Sequence, residues 1–293
     1  MTDRPHKSGY AAIIGKPNVG KSTLMNRLLR SKISITTHKP QTTRHQVVGI
    51  YSDDDTQIVF LDTPGVISPK YELQKAMMKT VERARSDADL ILFIVDPTDR
   101  TPPDEVIELL RTIQKPIFLV VNKMDQTRRE EAEKKIAPLK EKLRFEETLF
   151  VSALQGDGME ELLEQIRQYL PAEPPYYPKE DLSEHPIRFF VSELIREQLF
   201  LLFHEEIPYS CTVEVIDYQA GPELDRIHAD IIVNRSSQKG MLIGKGGKAI
   251  KELGIRSRES IEQFLDKKVY LELHIKVREK WRENEKWVRN LGY

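Results

Sequence analysis

The stretch GKPNVGKS, residues 15–22, decides the fold because it matches the pattern G-x-x-x-x-G-K-[ST] at every fixed position. A short apolar run precedes it and leucines at helical spacing follow it, which is the strand-loop-helix context that the pattern requires. Glycines let backbone N–H groups surround phosphates, and the positive end of the following helix favours anions. The predicted nucleotide-binding residues here are Gly15, Lys16, Pro17, Asn18, Val19, Gly20, Lys21, Ser22 and Thr23.

Side chains in this loop and in a later segment have predicted chemical roles. Lys21 is expected to contact the β- and γ-phosphates, and Ser22 is expected to bind Mg²⁺. A second segment, DTPG, follows a predicted strand. Its aspartate is placed to hold the Mg²⁺ shell through water, and its glycine N–H is placed to sense the γ-phosphate. The predicted contact residues of this segment are Asp62, Thr63, Pro64 and Gly65.

Two further segments indicate that the base is guanine. The segment NKMD starts at Asn122 after a buried strand, at the sheet edge where ligands bind in such folds. Asp125 can accept two hydrogen bonds from guanine, whereas adenine would leave that carboxylate unpaired. Lys123 is expected to pack its stem over the base. The backbone of Ser152 and Ala153, after the next strand, is placed to bind guanine O6.

Strands and helices alternate through the first 170 residues. Apolar runs at 10–14, 47–51, 57–61, 90–95, 116–121 and 148–151 predict strands, and amphipathic stretches between them predict helices. Such alternation predicts an α/β domain with a mostly parallel sheet and helices on both faces. The four motifs in this order resemble the translation-factor-like branch of P-loop GTPases, over residues 8–170.

That resemblance places switch I near residues 39–44 and switch II from Asp62 onward. A switch I threonine completes Mg²⁺ coordination in the family; we favour Thr43, with Thr42 as the alternative. Lys21, Thr43 and Gly65 are the predicted catalytic residues. Many relatives place a water-orienting glutamine after the D-x-x-G motif, but here that position is Val66. An alkyl side chain cannot position water, which predicts slow intrinsic hydrolysis that a partner or cation accelerates.

Asn18 leaves two interpretations open. In similar GTPases an asparagine at this place helps to bind K⁺ beside the phosphates, which makes K⁺ a second expected cation. The alternative is that Asn18 only braces the loop.

The composition of the sequence changes at residue 171. Four prolines fall within residues 171–178, so residues 171–180 are predicted to be a semi-rigid linker between a GTPase domain, 1–170, and a second domain, 181–277. The predicted elements of the second domain are a helix at 189–203, strands at 210–218 and 225–234, helices at 247–252 and 256–267, and a strand at 268–277. Residues 278–293 are predicted to form a charged tail helix.

The second domain contains the segment MLIGKGGKAI, residues 241–250. Its G-x-x-G pattern and the element order α-β-β-α-α-β resemble a type II KH domain, in which such a loop admits a nucleic-acid backbone. Residues 235–293 carry 15 basic and 8 acidic residues, whereas residues 181–234 carry 3 and 11, so the basic end suits an anionic partner. The predicted RNA-binding residues are Ile243, Gly244, Lys245, Gly246, Gly247, Lys248 and Ile250. The alternative is that the glycines merely join two helices.

The whole chain resembles the bacterial Era GTPases. That resemblance implies GTP and GDP as ligands, the 3′ end of 16S ribosomal RNA in the small ribosomal subunit as the single-stranded RNA partner, and peripheral contact with the inner face of the cell membrane. We expect a cytoplasmic monomer: one cysteine excludes an internal disulfide framework, and no apolar run is long enough to span a membrane. Two alternatives are an RNA-binding scaffold with a structural nucleotide and a metabolic nucleoside-phosphate enzyme, and the NKMD segment argues against the enzyme.

Overall fold

The computed structural model of the chain describes residues 5–99, 102 and 104–293. The first four residues of the predicted GTPase domain therefore lie outside the described part. The chain forms two compact units. One comprises residues through Pro69 together with Met77–Glu184, and the other comprises Lys70–Ala76 together with His185–Tyr293.

The first unit is built on a six-stranded sheet in the order β2-β3-β1-β4-β5-β6. Its strands are β1 Lys7–Gly15, β2 Val47–Ser52, β3 Thr56–Asp62, β4 Leu90–Val95, β5 Ile117–Val121 and β6 Glu147–Phe150. Only β2 runs antiparallel to its neighbour, and the other pairings are parallel. The helices are α1 Lys21–Leu29, α2 Glu72–Asp87, α3 Asp104–Arg111, α4 Arg129–Lys142 and α5 Met159–Tyr169.

The burial of the strands agrees with a mostly parallel sheet. Every residue of β3 and of β4 is buried, as happens when both faces of a sheet are covered by helices. The predicted α/β architecture is thereby confirmed.

The proline-rich segment belongs to the first unit, and we call residues 171–184 the strap. The ring of Tyr176 stacks on Tyr10 with centroids 5.3 Å apart. The side-chain oxygen of Gln57 accepts hydrogen bonds from the N–H groups of Tyr176 and Tyr177, at 2.7 and 2.9 Å. The N–H of Ile50 in β2 donates to the carbonyl of Leu182 at 2.9 Å. The strap is therefore held along the edge of the sheet. It includes residues 171–180, which the sequence predicted to be a semi-rigid linker.

The second unit packs helices against a three-stranded sheet in the order β7-β8-β9. Its elements are α6 Ile187–Leu202, α7 Ile207–Ser210, β7 Cys211–Gln219, β8 Leu224–Val233, α8 Ser236–Ile243, α9 Lys248–Leu265, β9 Lys268–Val277 and α10 Glu285–Asn290. Strand β8 pairs antiparallel with β7 and parallel with β9. Strand β8 alternates buried and partly exposed residues, because its other face is not covered by the helices.

Two helices of this unit lie elsewhere than predicted. Helix α9 is continuous from Lys248 to Leu265, where two helices were expected, and the other helix, α8, precedes the glycine loop. Gly254 lies within α9, where an added Cβ would meet, among the described residues, Leu273 at 4.0 Å. The start of α8 is fixed by Gln238, whose side-chain oxygen accepts from the backbone N–H groups of Asn234 and Arg235.

The end of the chain also differs from the predicted tail helix. Helix α10 begins only at Glu285, after a 3₁₀ turn at Trp281–Glu283. Trp281 is fully buried, and its indole N–H donates to the carbonyl of Ser210 at 3.0 Å. This buried side chain holds the segment as a turn.

Candidate nucleotide site and glycine loop

The predicted nucleotide motifs lie at the carboxyl ends of parallel strands. The phosphate loop follows β1, the DTPG segment follows β3, the NKMD segment follows β5, and Ser152 comes two residues after β6. Parallel strands bring these ends to one edge of the sheet, which is where ligands bind in open α/β folds.

Lys21 lies at the centre of the phosphate loop. Its side chain is buried and its ammonium donates to the backbone carbonyls of Lys16 at 2.9 Å and Gly15 at 3.3 Å. Burial lowers the pKa of Lys21 to about 8, and the nearby carboxylate of Asp62 opposes that shift. A phosphate chain in the loop supplies negative charge that favours the protonated ammonium.

Ser22, Thr43 and Asp62 meet at the predicted Mg²⁺ position. The hydroxyl of Ser22 donates to Asp62 Oδ2 at 2.6 Å and lies 2.9 Å from the hydroxyl of Thr43. Thr42 instead bonds within its own loop, to Thr37 at 2.6 Å and to the carbonyl of Lys39 at 2.7 Å. Of the two alternatives for switch I, Thr43 is the one that reaches this position.

The carboxylate of Asp62 fits a nearby cation. Burial raises the pKa of Asp62. Its Oδ1 is buried and has no hydrogen-bond partner among the described residues, an arrangement that costs free energy unless a positive charge lies close by. Two hydroxyls and a carboxylate are the oxygen donors that Mg²⁺ prefers.

The DTPG segment touches the phosphate loop through its glycine. A Cβ added to Gly65 would lie 2.6 Å from the backbone nitrogen of Pro17, so only glycine permits this approach. Val66 donates its N–H to the carbonyl of Gly15 at 3.0 Å, and its buried side chain joins the apolar core. Thr63 donates its hydroxyl to the carbonyl of Ile13 at 2.7 Å, so this proton is not available to a nucleotide.

The base-reading segment is organised around Asp125. Its exposed carboxylate accepts a hydrogen bond from the hydroxyl of Ser152 at 2.6 Å, and this bond lowers the pKa of Asp125. The group is therefore ionised and oriented, as an acceptor for two guanine N–H donors must be. Lys123 lies beside it and pairs with Asp96 at 2.6 Å.

Asn122 has a bracing role that the motif alone did not reveal. Its buried amide donates to the carbonyl of Val19 at 2.8 Å, and its oxygen accepts from the N–H of Ala153 at 2.9 Å. One side chain thus joins the phosphate loop to the segment after β6. A guanine O6 at the predicted position would share the Ala153 N–H with Asn122.

Sequence reasoning missed three residues that shape this site. Asn26 in α1 accepts from the N–H groups of Ile33 and Ser34 and so fixes the segment that leads from α1 to switch I. Ser34 donates to Asp62 Oδ2 at 2.9 Å. Asp96, the partner of Lys123, directly follows a buried strand, and that position was the signal by which it could have been found. Asn26 and Ser34 carried no such signal.

The glycine loop joins α8 to α9 in the second unit. Gly244, Gly246 and Gly247 all have positive φ, at 70°, 60° and 75°. Within the described part of the chain, an added Cβ at Gly246 or Gly247 would meet no residue other than its chain neighbours within 4 Å, so the backbone is open on that side. Lys245 and Lys248 are exposed, while the flanking isoleucines Ile243 and Ile250 are partly buried.

Comparisons with known proteins agree with both halves of the fold. A family model described as "50S ribosome-binding GTPase" matches residues 10–123, and a KH domain model matches residues 206–282. The chain is 44% identical to the chloroplastic GTPase ERA1 of Zea mays, over 98% of this chain and 71% of the maize protein. The chain belongs to the Era family of GTPases.

Solved Era structures extend the likeness to the whole three-dimensional fold. Aquifex aeolicus Era bound to GDP·AlF₄⁻ is 37% identical, with a TM-score of 0.93 and coverage of 98% of this chain and 99% of that one. Era in complex with MgGDPNP and nucleotides 1506–1542 of 16S ribosomal RNA is 38% identical, with a TM-score of 0.90 and the same coverage. This Era-family protein is accordingly a GTP hydrolase with a KH domain. Among the described residues, no helix is long and apolar enough to cross a membrane.

Proposed function

We propose that this Era-family GTPase is a switch in which the bound nucleotide sets the affinity of the KH domain for single-stranded RNA. The proposed target is the 3′ end of 16S ribosomal RNA in the small ribosomal subunit. Support comes from the related Era complex that contains nucleotides 1506–1542 of that RNA, since it covers 98% of this chain.

The open backbone of residues 244–247 is the observation that carries the RNA half of the proposal. A phosphate backbone can approach Gly246 closely, because among the described residues no atom beyond its two chain neighbours lies within 4 Å of the place where a side chain would start. Lys245 and Lys248 flank this opening with two positive charges, and the N-terminus of α9 points N–H groups towards it.

The nucleotide half assigns roles to this chain's own residues. Ser22 and Thr43 would bind Mg²⁺ directly and Asp62 would hold it through water; the ion would neutralise developing phosphate charge. Lys21 neutralises the same phosphates, and the N–H of Gly65 faces the γ-phosphate. No side chain at position 66 orients water, which supports the proposal of a slow intrinsic rate.

K⁺ is proposed as a second cation beside the phosphates. Asn18 has a left-handed backbone, with φ of 64°, and its amide donates to the carbonyl of His38 at 2.9 Å. The side-chain oxygen of Asn18 and the His38 carbonyl are suitable ligands for a large monovalent ion. The alternative, that Asn18 only braces the loop, rests on this same hydrogen bond. The two roles are therefore separated by comparing the rates of GTP hydrolysis in K⁺ and in Na⁺.

Switching is proposed to travel through β2. Strand β2 follows switch I directly, and the strap binds it through Ile50, as well as through a hydrogen bond from Ser183 to the carbonyl of Val48. The strap ends at residue 184, and the longer segment of the second unit, His185–Tyr293, follows it directly in sequence. The cytoplasmic location, the monomeric state and the peripheral membrane contact stay predictions.

The RNA proposal is tested by a charge at Gly246. Gly246→Asp should weaken binding of an oligonucleotide matching the 16S 3′ end at least tenfold, because a carboxylate would face the phosphates. Gly246→Asn is the matched control: it has the same shape without the charge, and asparagine tolerates positive φ. Equal binding by wild type and the aspartate variant would contradict the assignment.

A further inference from the structure

The solvent-facing side of the KH sheet carries two histidines and an aspartate that lie together. His228 and Asp230 are on β8, and His274 is on β9. One candidate ligand atom from each residue lies within 4.8 Å of the others. Their neighbours along β8 are buried in the core, so strand alternation directs these side chains to the opposite face.

The distances are close to those of a metal site. Nε2 of His228 lies 2.8 Å from Nδ1 of His274 and 3.7 Å from Oδ1 of Asp230. Ligand atoms in a tetrahedral zinc site with bonds of about 2.1 Å lie about 3.4 Å apart. A parting of the two imidazoles by about 0.6 Å, well within side-chain freedom, would admit an ion between the three atoms.

Asp230 gives independent support. Its Oδ1 is buried and has no hydrogen-bond partner among the described residues. A buried carboxylate oxygen without a donor is costly unless a cation takes that place. Because Oδ1 is also the atom nearest to His228, the unsatisfied acceptor faces the cluster.

His274 is oriented in the way that metal-binding histidines are. Its Nδ1 faces His228, and its other nitrogen, Nε2, lies 3.2 Å from a carboxylate oxygen of Glu272. Such an outer carboxylate fixes the tautomer and increases the basicity of the ligating nitrogen.

Further carboxylates make this face favourable for a cation. Glu214 on β7 is the cross-strand partner of Asp230, and Asp217 is the partner of His228. Glu272 on β9 is the second cross-strand partner of His228. Cross-strand partners share a face of the sheet, so three acidic groups surround the cluster.

We propose that His228, His274 and Asp230 bind a divalent transition-metal ion, with Zn²⁺ as the best match. Two imidazoles and one carboxylate suit Zn²⁺, whereas Mg²⁺ prefers oxygen ligands alone. The site is therefore chemically distinct from the Mg²⁺ position beside Ser22. A bound ion would join β8 to β9 and stabilise the KH fold, independently of GTP hydrolysis and of RNA.

The test is a titration of Zn²⁺ into the full chain, prepared without a polyhistidine tag and saturated with Mg²⁺ and GDP. One equivalent should bind with a dissociation constant below about 10 μM, comparable to a three-ligand protein site. His228→Gln and His274→Gln should each weaken binding at least tenfold. His204→Gln, which removes an exposed histidine of the same unit, should leave binding unchanged.

A second readout does not depend on variants. Co²⁺ substituted for Zn²⁺ should give the visible absorption of a four-coordinate ion, and NMR should show the ring signals of His228 and His274 shifting together. Absence of binding at 100 μM Zn²⁺, or equal binding by the His228→Gln variant, would overturn the proposal. The two histidines would then be an ordinary hydrogen-bonded pair.

Discussion

The hydroxyl of Thr43 lies 2.9 Å from the hydroxyl of Ser22. The switch I loop therefore meets the phosphate loop at the position where Mg²⁺ is proposed to bind. Thr42, its neighbour, directs its hydroxyl into its own loop. Two adjacent threonines thus have different proposed roles, and a pair of isosteric variants can separate them.

Thr43→Val should lower the rate of GTP hydrolysis about 10–100-fold, the effect of losing 1.4–2.8 kcal/mol of transition-state stabilisation. It should also raise the Mg²⁺ concentration needed with GTP but not with GDP. Thr42→Val is the matched control and should have the smaller effect. Single-turnover hydrolysis at several Mg²⁺ concentrations measures both, and a larger defect in Thr42→Val would reverse the assignment.

Asp125→Asn should change the base that is accepted. The introduced side-chain amide cannot accept both guanine N–H bonds, so the affinity for GTP should fall at least about 100-fold. Xanthosine triphosphate has a carbonyl in place of the guanine amine and should bind better to this variant. Ser152→Ala removes only the orienting hydrogen bond and should cost about fivefold. Competition binding with GTP and xanthosine triphosphate checks the prediction. If Asp125→Asn still preferred GTP as wild type does, the prediction would be contradicted.

Hydrolysis should be faster in K⁺ than in Na⁺. If Asn18 holds K⁺ beside the phosphates, wild type should gain about tenfold or more in K⁺, as other cationic groups at this position add to the rate. Asn18→Ala should remove that gain without abolishing nucleotide binding. Steady-state rates at equal ionic strength provide the measurement, and equal rates in the two salts for wild type would favour the bracing role.

The nucleotide motifs could be predicted because each is a short segment whose chemistry depends on local backbone. Other features depended on distant partners. Asn122 bonds to Val19 and Ala153, and Gln57 bonds to the strap. These partners are distant in sequence from the side chains that bind them.

The KH unit should become less stable in acid, because the carboxylate of Asp225 is then protonated. This buried carboxylate pairs with Lys267 at 2.6 Å and accepts from the hydroxyl of Tyr218. The hydrogen bond from Lys267, followed by that from Tyr218, lowers the pKa of Asp225. An unfolded aspartate titrates near pH 3.9, so the stabilisation is complete above about pH 5 and is lost as pH falls through the lower folded pKa.

Asp225→Asn should remove this pH dependence and cost about 1–3 kcal/mol at neutral pH. Both tryptophans, Trp281 and Trp287, lie in this unit, so their fluorescence during urea unfolding reports on it selectively. Asp266→Asn, at an exposed position, is the control and should change little. A variant as stable as wild type at pH 7 would argue against a stabilising role for the pair.

The central claim is that the bound nucleotide sets the affinity of the KH domain for RNA. Its most direct test is the affinity of the full chain for an oligonucleotide matching the 16S 3′ end, measured with Mg²⁺ and a non-hydrolysable GTP analogue and then with Mg²⁺ and GDP. A coupling of about 1–3 kcal/mol predicts a difference of about 5–150-fold, with tighter binding in the GTP state. Equal affinity in the two states would contradict the account.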